Sequence, residues 1–219
     1  MKYVIEGVSG EVRESFLEEI TPESSEALIA KMVECTYQDV ERVVLEVASP
    51  GGEVASAIHL YEALLSTSFE LVTCNLGEVA SMGNLVFLAG DKRVAAPEAT
   101  FLLHPVTFDG AVRLDADDLR RSRTRAERAA ESPKRIAEYD LGIARLESET
   151  REIQSILEAR TRLSGRGAAR LIQEAKPLSA ASARAVGIVD AVAPPDMWHS
   201  QSRLLGMSSR PATSPARRP

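Results

Sequence analysis

This sequence predicts an α/β fold built on a parallel sheet, and three observations carry that prediction. Short β-branched runs at residues 42–48 and 69–75 alternate with segments that are apolar at helical spacing. The run at 42–48 is mostly apolar at both odd and even positions, as a strand buried on both faces is. The links between runs and helical segments are short, and strands alternating with helices in this way favour a parallel sheet covered by helices on both faces. In such sheets ligands lie beyond the carboxyl ends of the strands.

Taken in order, residues 2–8 are rich in β-formers and end at Gly7-Val8-Ser9-Gly10, which predicts a first strand followed by a polar connection. Thr21-Pro22-Glu23 is a helix start, with Thr as cap and Pro at the first helical position, and Ala27, Leu28, Lys31 and Met32 continue it. The strand at 42–48 runs into Ser49-Pro50-Gly51-Gly52, and Val54, Ala57, Ile58, Tyr61, Leu64 and Leu65 then mark an amphipathic helix. After the strand at 69–75 comes Gly77-Glu78-Val79-Ala80-Ser81-Met82-Gly83, then an apolar helix at 85–89 that stops at Gly90. Two further short strands, 93–96 and 100–103, are split by Pro97, and the second delivers His104-Pro105.

Beyond Gly110 the composition turns charged and poor in glycine, and Ser132-Pro133 restarts a helix. There Ile136, Tyr139, Ile143, Leu146, Thr150, Ile153 and Leu157 recur at intervals of three and four, a stripe suited to a partner helix, a neighbouring subunit or the domain's own core. Gly165-Arg166-Gly167 is expected to end the long helix, with short helices at 168–174 and 179–186 and a closing segment at 188–192.

A chain of 219 residues, 44% hydrophobic and 26% charged, suits one α/β domain over 1–199, with a long, handle-like helical segment at 111–164. Residues 200–219 are rich in Ser, Pro and Arg and are expected to be disordered. The net charge of −6 and the lack of a dense basic face argue against a nucleic-acid partner. No apolar run approaches the roughly 20 residues of a membrane span, and the N-terminus lacks a signal peptide's features, so cytoplasmic placement is expected. Cys35 and Cys74 fall in apolar stretches, which favours buried, reduced thiols over a disulfide or metal pair; no metal or cofactor is expected.

The chemistry converges on one sheet edge. Ser81 stands between an apolar strand and an apolar helix, where a serine either caps the helix or is exposed for attack. Serine needs a base to become a nucleophile, and His104 ends a strand at the same edge. The oxygen that turns negative on attack needs fixed N–H donors, and Gly52 and Met82 are placed to supply them.

In this order, Ser49-Pro50-Gly51-Gly52, Gly77, Ala80-Ser81-Met82-Gly83, Ala89-Gly90, Arg93, Pro97 and His104-Pro105 resemble the proteolytic subunit of Clp protease. The closing Leu178-Ser179-Ala180 and Gly187-Ile188-Val189-Asp190 are similar to that family's final segment. The resemblance implies a crotonase-like fold of repeated units with a long projecting helix. It further implies a serine peptidase that hydrolyses peptides or unfolded protein segments, with Ser81 as nucleophile, His104 as base, and the Gly52 and Met82 amides as oxyanion hole. It implies a homo-oligomeric ring, heptameric or of stacked rings, served by an ATP-driven (AAA+) unfoldase.

Three departures qualify it. The position of the family's orienting acid holds Ala175, so the third triad member is unknown: the adjacent Glu174, an acid from elsewhere such as Asp109, and a Ser–His dyad without a third member all stand open. The chain starts at the first predicted strand, without the family's axial loop, which fits an atypical member working without an unfoldase. The connection from His104 to Thr161 is longer than the family's. Rival readings are an inactive ClpP-like structural subunit, a Ser–Lys peptidase using Lys134 or Lys176, and an acyl-thioester enzyme of the same fold. His59 reads as a packed or surface histidine, His199 lies in the tail without supporting context, Asp190 reads as structural, and Arg120, Arg121, Arg123 and Arg125 as a solvated helix face.

Overall fold

In the computed structural model, which describes residues 10–108, 113–195 and 198, the sheet grows one parallel strand at a time. Strands β1 (Glu11–Phe16), β2 (Arg42–Ser49), β3 (Glu70–Ala80), β4 (Lys92–Ala95) and β7 (Ala191–Val192) lie side by side in that order, all parallel. Helices α1 (Pro22–Tyr37), α2 (Val54–Leu65) and α3 (Gly83–Leu88) make the first three crossovers. Then follow β5 (Thr100–Leu102), α4 (Ala116–Arg128), α5 (Pro133–Arg160), α6 (Gly165–Glu174), β6 (Leu178–Ser179) and α7 (Ala180–Val186).

Local chemistry sets these elements. Thr21 and Ser24 cap α1 reciprocally, Ser24 N–H donating to Thr21 Oγ1 (3.2 Å) and Thr21 N–H to Ser24 Oγ (2.9 Å), with Pro22 opening the helix. Such a cap stabilises a helix by about 1 kcal/mol. Ser132, Ser164 and Ser179 accept a backbone N–H at the starts of α5, α6 and α7, and Gly187 closes α7 in the left-handed region. Gly165-Arg166-Gly167 therefore opens α6 rather than ending α5, because Ser164 supplies the cap and α5 has already stopped at Arg160. The Arg160 guanidinium donates to the carbonyls of Leu88 (2.9 Å), Ala89 (3.4 Å) and Gly90 (2.7 Å), which pins the end of α5 to the end of α3.

Two expectations are corrected. The stretch read as a polar connection contains β1; among the described residues it is an edge strand, whose charges pair with neighbours such as Arg42, Glu46 and Lys31. The strand expected at 2–8, like the tail at 200–219, lies outside the described residues. Among the described residues the helices also do not cover both faces. Each crossover steps the same way along the sheet, and right-handed crossovers then put α1, α2 and α3 in one layer, α1 packed on α2 and α2 on α3. The opposite face carries a small second cluster, Val44, Val72, Cys74 and Val94, with Ala193 and Trp198 against it.

The stripe on α5 is occupied within the chain: Leu146, Ile153 and Leu157 belong to the main core, with Tyr139 and Ile143 partly packed on it and Leu119 of α4 in the same cluster. What positions the site is the length of β3. Its first half pairs β4 (Val72–Asn75 with Lys92–Ala95) and its second half pairs β5 (Glu78–Ala80 with Thr100–Leu102). The buried Asn75 holds this handover, donating to Thr100 O (2.9 Å) and accepting from Gly77 N–H (2.9 Å). The strand therefore continues through Gly77 to Ala80 and releases Ser81 at its carboxyl end, beside the end of β5.

Candidate active site

Ser81 occupies a tight turn between β3 and α3 with φ of 51°, in the left-handed region that side-chain-bearing residues avoid. Strand, strained turn and helix together lift a side chain clear of the sheet end. The turn is held from two sides. Ser81 N–H donates to Leu102 O (2.7 Å), and the buried Asn84 amide donates to Ser81 O (2.9 Å) and Leu102 O (3.0 Å). Leu102 is the last residue of β5, so one side chain ties the serine turn to the strand that leads to His104.

The glycine pair is required by close approach. A Cβ on Gly51 would stand 2.5 Å from Ser81 Cβ and 2.9 Å from Met82 N, and one on Gly52 would strike the Ile20 backbone. Gly51 and Gly52 have φ of 97° and 149°. The two candidate oxyanion donors are aimed by the carbonyls of their own peptide units. All peptides of the described residues are trans, so N–H and C=O of one unit point opposite ways. Ile20 N–H holds Gly51 O (2.7 Å), which turns Gly52 N–H away from Ile20; Asn84 holds Ser81 O, which turns Met82 N–H away from the interior.

His104 follows β5, and its Nδ1 lies 2.7 Å from Pro105 O. Gly51, Gly52, Ser81, Met82 and His104 line one cleft of about 210 Å³, walled by Val54, Leu103, Val106 and Ile153, with Glu19 and Arg113 also at its surface. The structure thus brings together Ser81, His104, Gly52 and Met82.

It does not bring the other candidates there. Glu174 is exposed and bonded to Arg170 (2.6 Å), a partner that holds its carboxyl below the usual range. Ala175 ends α6 in the left-handed region, φ 47°. It leads, through Pro177, into β6, which pairs antiparallel with the strand that ends just before His104, Thr100 with Ser179 and Phe101 with Leu178. Lys134, Lys176 and His59 are exposed and do not line the cleft, while Asp109 and His199 lie outside the described residues. Asp190 binds the Arg93 guanidinium (3.1 Å) and backbone N–H (2.9 Å), a structural use. Arg120, Arg121 and Arg123 pair with acids on α4 and α5. Both cysteines are free and buried, burial pushing Cys74 up to about 12, and the described residues hold no cluster fit for a metal. Asn84, which holds the serine turn, is the residue of the candidate site that sequence reasoning missed; its signal was a lone amide in the apolar run Gly83-Asn84-Leu85-Val86-Phe87-Leu88.

Residues 11–143 match the family model described as Clp protease. The chain is 32% identical over 123 residues to ATP-dependent Clp protease proteolytic subunit 1 of Leifsonia xyli subsp. xyli, covering 55% of this chain and 60% of that one. It is 35% identical over 89 residues to proteolytic subunit 2 of Cutibacterium acnes, covering 39% and 42%. The matches thus span about half the length of these relatives. Among solved structures, a point mutant of ClpP1 from Listeria monocytogenes superposes with a TM-score of 0.65 at 17% identity, over 83% of this chain and 91% of that one, a likeness of fold. With its motifs, its sheet and its family model in agreement, this chain belongs to the Clp protease family.

Proposed function

We propose that this chain is a serine peptidase of the Clp proteolytic-subunit kind, which cleaves peptides or unfolded protein segments through an acyl-enzyme on Ser81. The observation that carries the reading is the meeting of a strained serine turn, a glycine pair and a strand-end histidine in one cleft. His104 Nε2 takes the proton from Ser81 Oγ as the oxygen attacks the substrate carbonyl carbon. The N–H groups of Gly52 and Met82 receive the negative oxygen of the tetrahedral intermediate. His104 then gives its proton to the leaving amine, and water repeats the sequence to free the acid. The apolar wall of Val54, Leu103, Val106 and Ile153 suits an apolar substrate side chain next to the scissile bond.

The same reading includes a cytoplasmic, homo-oligomeric ring, as the family resemblance implies, with an unfoldase as an optional partner. Ala175 favours a second reading, a subunit that assembles but does not cleave. Turnover of an unstructured fluorogenic peptide separates the two. The peptidase reading expects hydrolysis that Ser81→Ala abolishes and His104→Ala lowers by about 10²–10⁴. Wild-type turnover no greater than that of Ser81→Ala would leave the assembly subunit instead.

A further inference from the structure

We infer that the main-chain carbonyl of Pro105 does the orienting work of the absent carboxylate, holding His104 in the tautomer a general base needs; this rests on the peptidase reading of the cleft and deepens it. The carrying observation is the 2.7 Å approach of His104 Nδ1 to Pro105 O. A carbonyl oxygen only accepts, so Nδ1 carries the proton. A neutral imidazole has one N–H, and Nε2 is then left with its lone pair, the state in which it accepts a proton from a serine.

The local chain narrows the backbone around this contact. Proline fixes its own φ near −65° and confines the preceding residue to extended backbone. Two competing carboxylates among the described residues are engaged elsewhere. Glu174 is bonded to Arg170, and Asp115 accepts Asp118 N–H (2.8 Å) as the cap of α4. Glu19 is exposed on the cleft surface, and position 175 bears only a methyl group. A carbonyl differs from a carboxylate in one respect that matters. It orients the ring as well, but offers a dipole instead of a full charge to the imidazolium that forms during attack. Pro105 is therefore a positioning group that preserves the tautomer while yielding a slower enzyme than one with an acid at position 175.

The test reads the tautomer itself. Full-length protein labelled with ¹⁵N-histidine is studied by long-range ¹H–¹⁵N ring correlations above the pH at which the ring is neutral. His104→Gln identifies the His104 signals among the three histidines. The expected spectrum has a protonated, pyrrole-type Nδ1 and a bare, pyridine-type Nε2 on His104. A ring with the proton on Nε2, or an even mixture, would overturn the role of Pro105. Fluorophosphonate modification of Ser81 in the same sample reports on the peptidase reading separately: adduct with an Nε2–H ring removes only Pro105, and no adduct with an Nδ1–H ring removes only the peptidase.

Discussion

The left-handed φ of Ser81 disfavours the turn by roughly 1–2 kcal/mol, and the surroundings must over-determine it. Asn84 supplies part of that constraint, because its amide adds a second hydrogen bond to each of two carbonyls, one in the turn and one at the end of β5. Asn84→Ala is expected to destabilise the protein by about 1–3 kcal/mol and to lower kcat tenfold or more with KM little changed; chemical denaturation and peptide kinetics check the two effects, and an unchanged kcat would reduce Asn84 to a packing residue. Ala175 is strained in the same region without evident catalytic return. Ala175→Gly should raise stability by about 0.5–1 kcal/mol, measurable as a higher denaturation midpoint. At this scale the sequence was informative wherever residue type itself signals chemistry. Ser81, His104 and the glycine pair stand out because few other residues do what they do. Asn84 and the Pro105 carbonyl did not stand out, since their roles depend on which carbonyls and ring atoms the fold places beside them.

At the level of elements, the sheet's open face carries a charge ladder, Glu11–Arg42–Glu70–Lys92, across β1 to β4. Burial alone would raise the Glu70 carboxyl, yet hydrogen bonds from Arg42 and Lys92 hold it below its ordinary 4.5. A depressed folded-state value means that the stabilisation is complete above about pH 4.5 and is lost as pH falls through the folded-state value. Glu70→Gln should therefore cost about 1 kcal/mol at neutral pH and progressively less under acid, with the two stability curves converging below pH 4.5; parallel curves would show that the ladder does not bind the proton difference. Capping signals made α1 and the restart of α5 legible, because a Thr-Pro or Ser-Pro start acts locally. The missed strand β1 was hidden by its charges, which an edge strand tolerates and pattern reading takes for loop. The one-sided helix layer was hidden for another reason: the direction of successive crossovers is a property of strand order, which local pattern does not encode.

For the whole molecule, the α4–α5 helix pair and the end of α1 leave large apolar groups in the open, Leu141 at 74% and Tyr37 at 84% exposure. The ring of copies proposed above would offer such groups cover. Native mass spectrometry at micromolar concentration should accordingly show a discrete oligomer, and a persistent monomer would remove the ring from the account. The central claim is narrower than assembly and rests on the turn between β3 and α3. It is tested most directly by incubating the protein with a fluorophosphonate and locating the adduct by intact and peptide mass. The account predicts a single adduct on Ser81, absent in Ser81→Ala and strongly slowed in His104→Ala; a wild-type protein that remains unmodified, or is modified elsewhere, would contradict it.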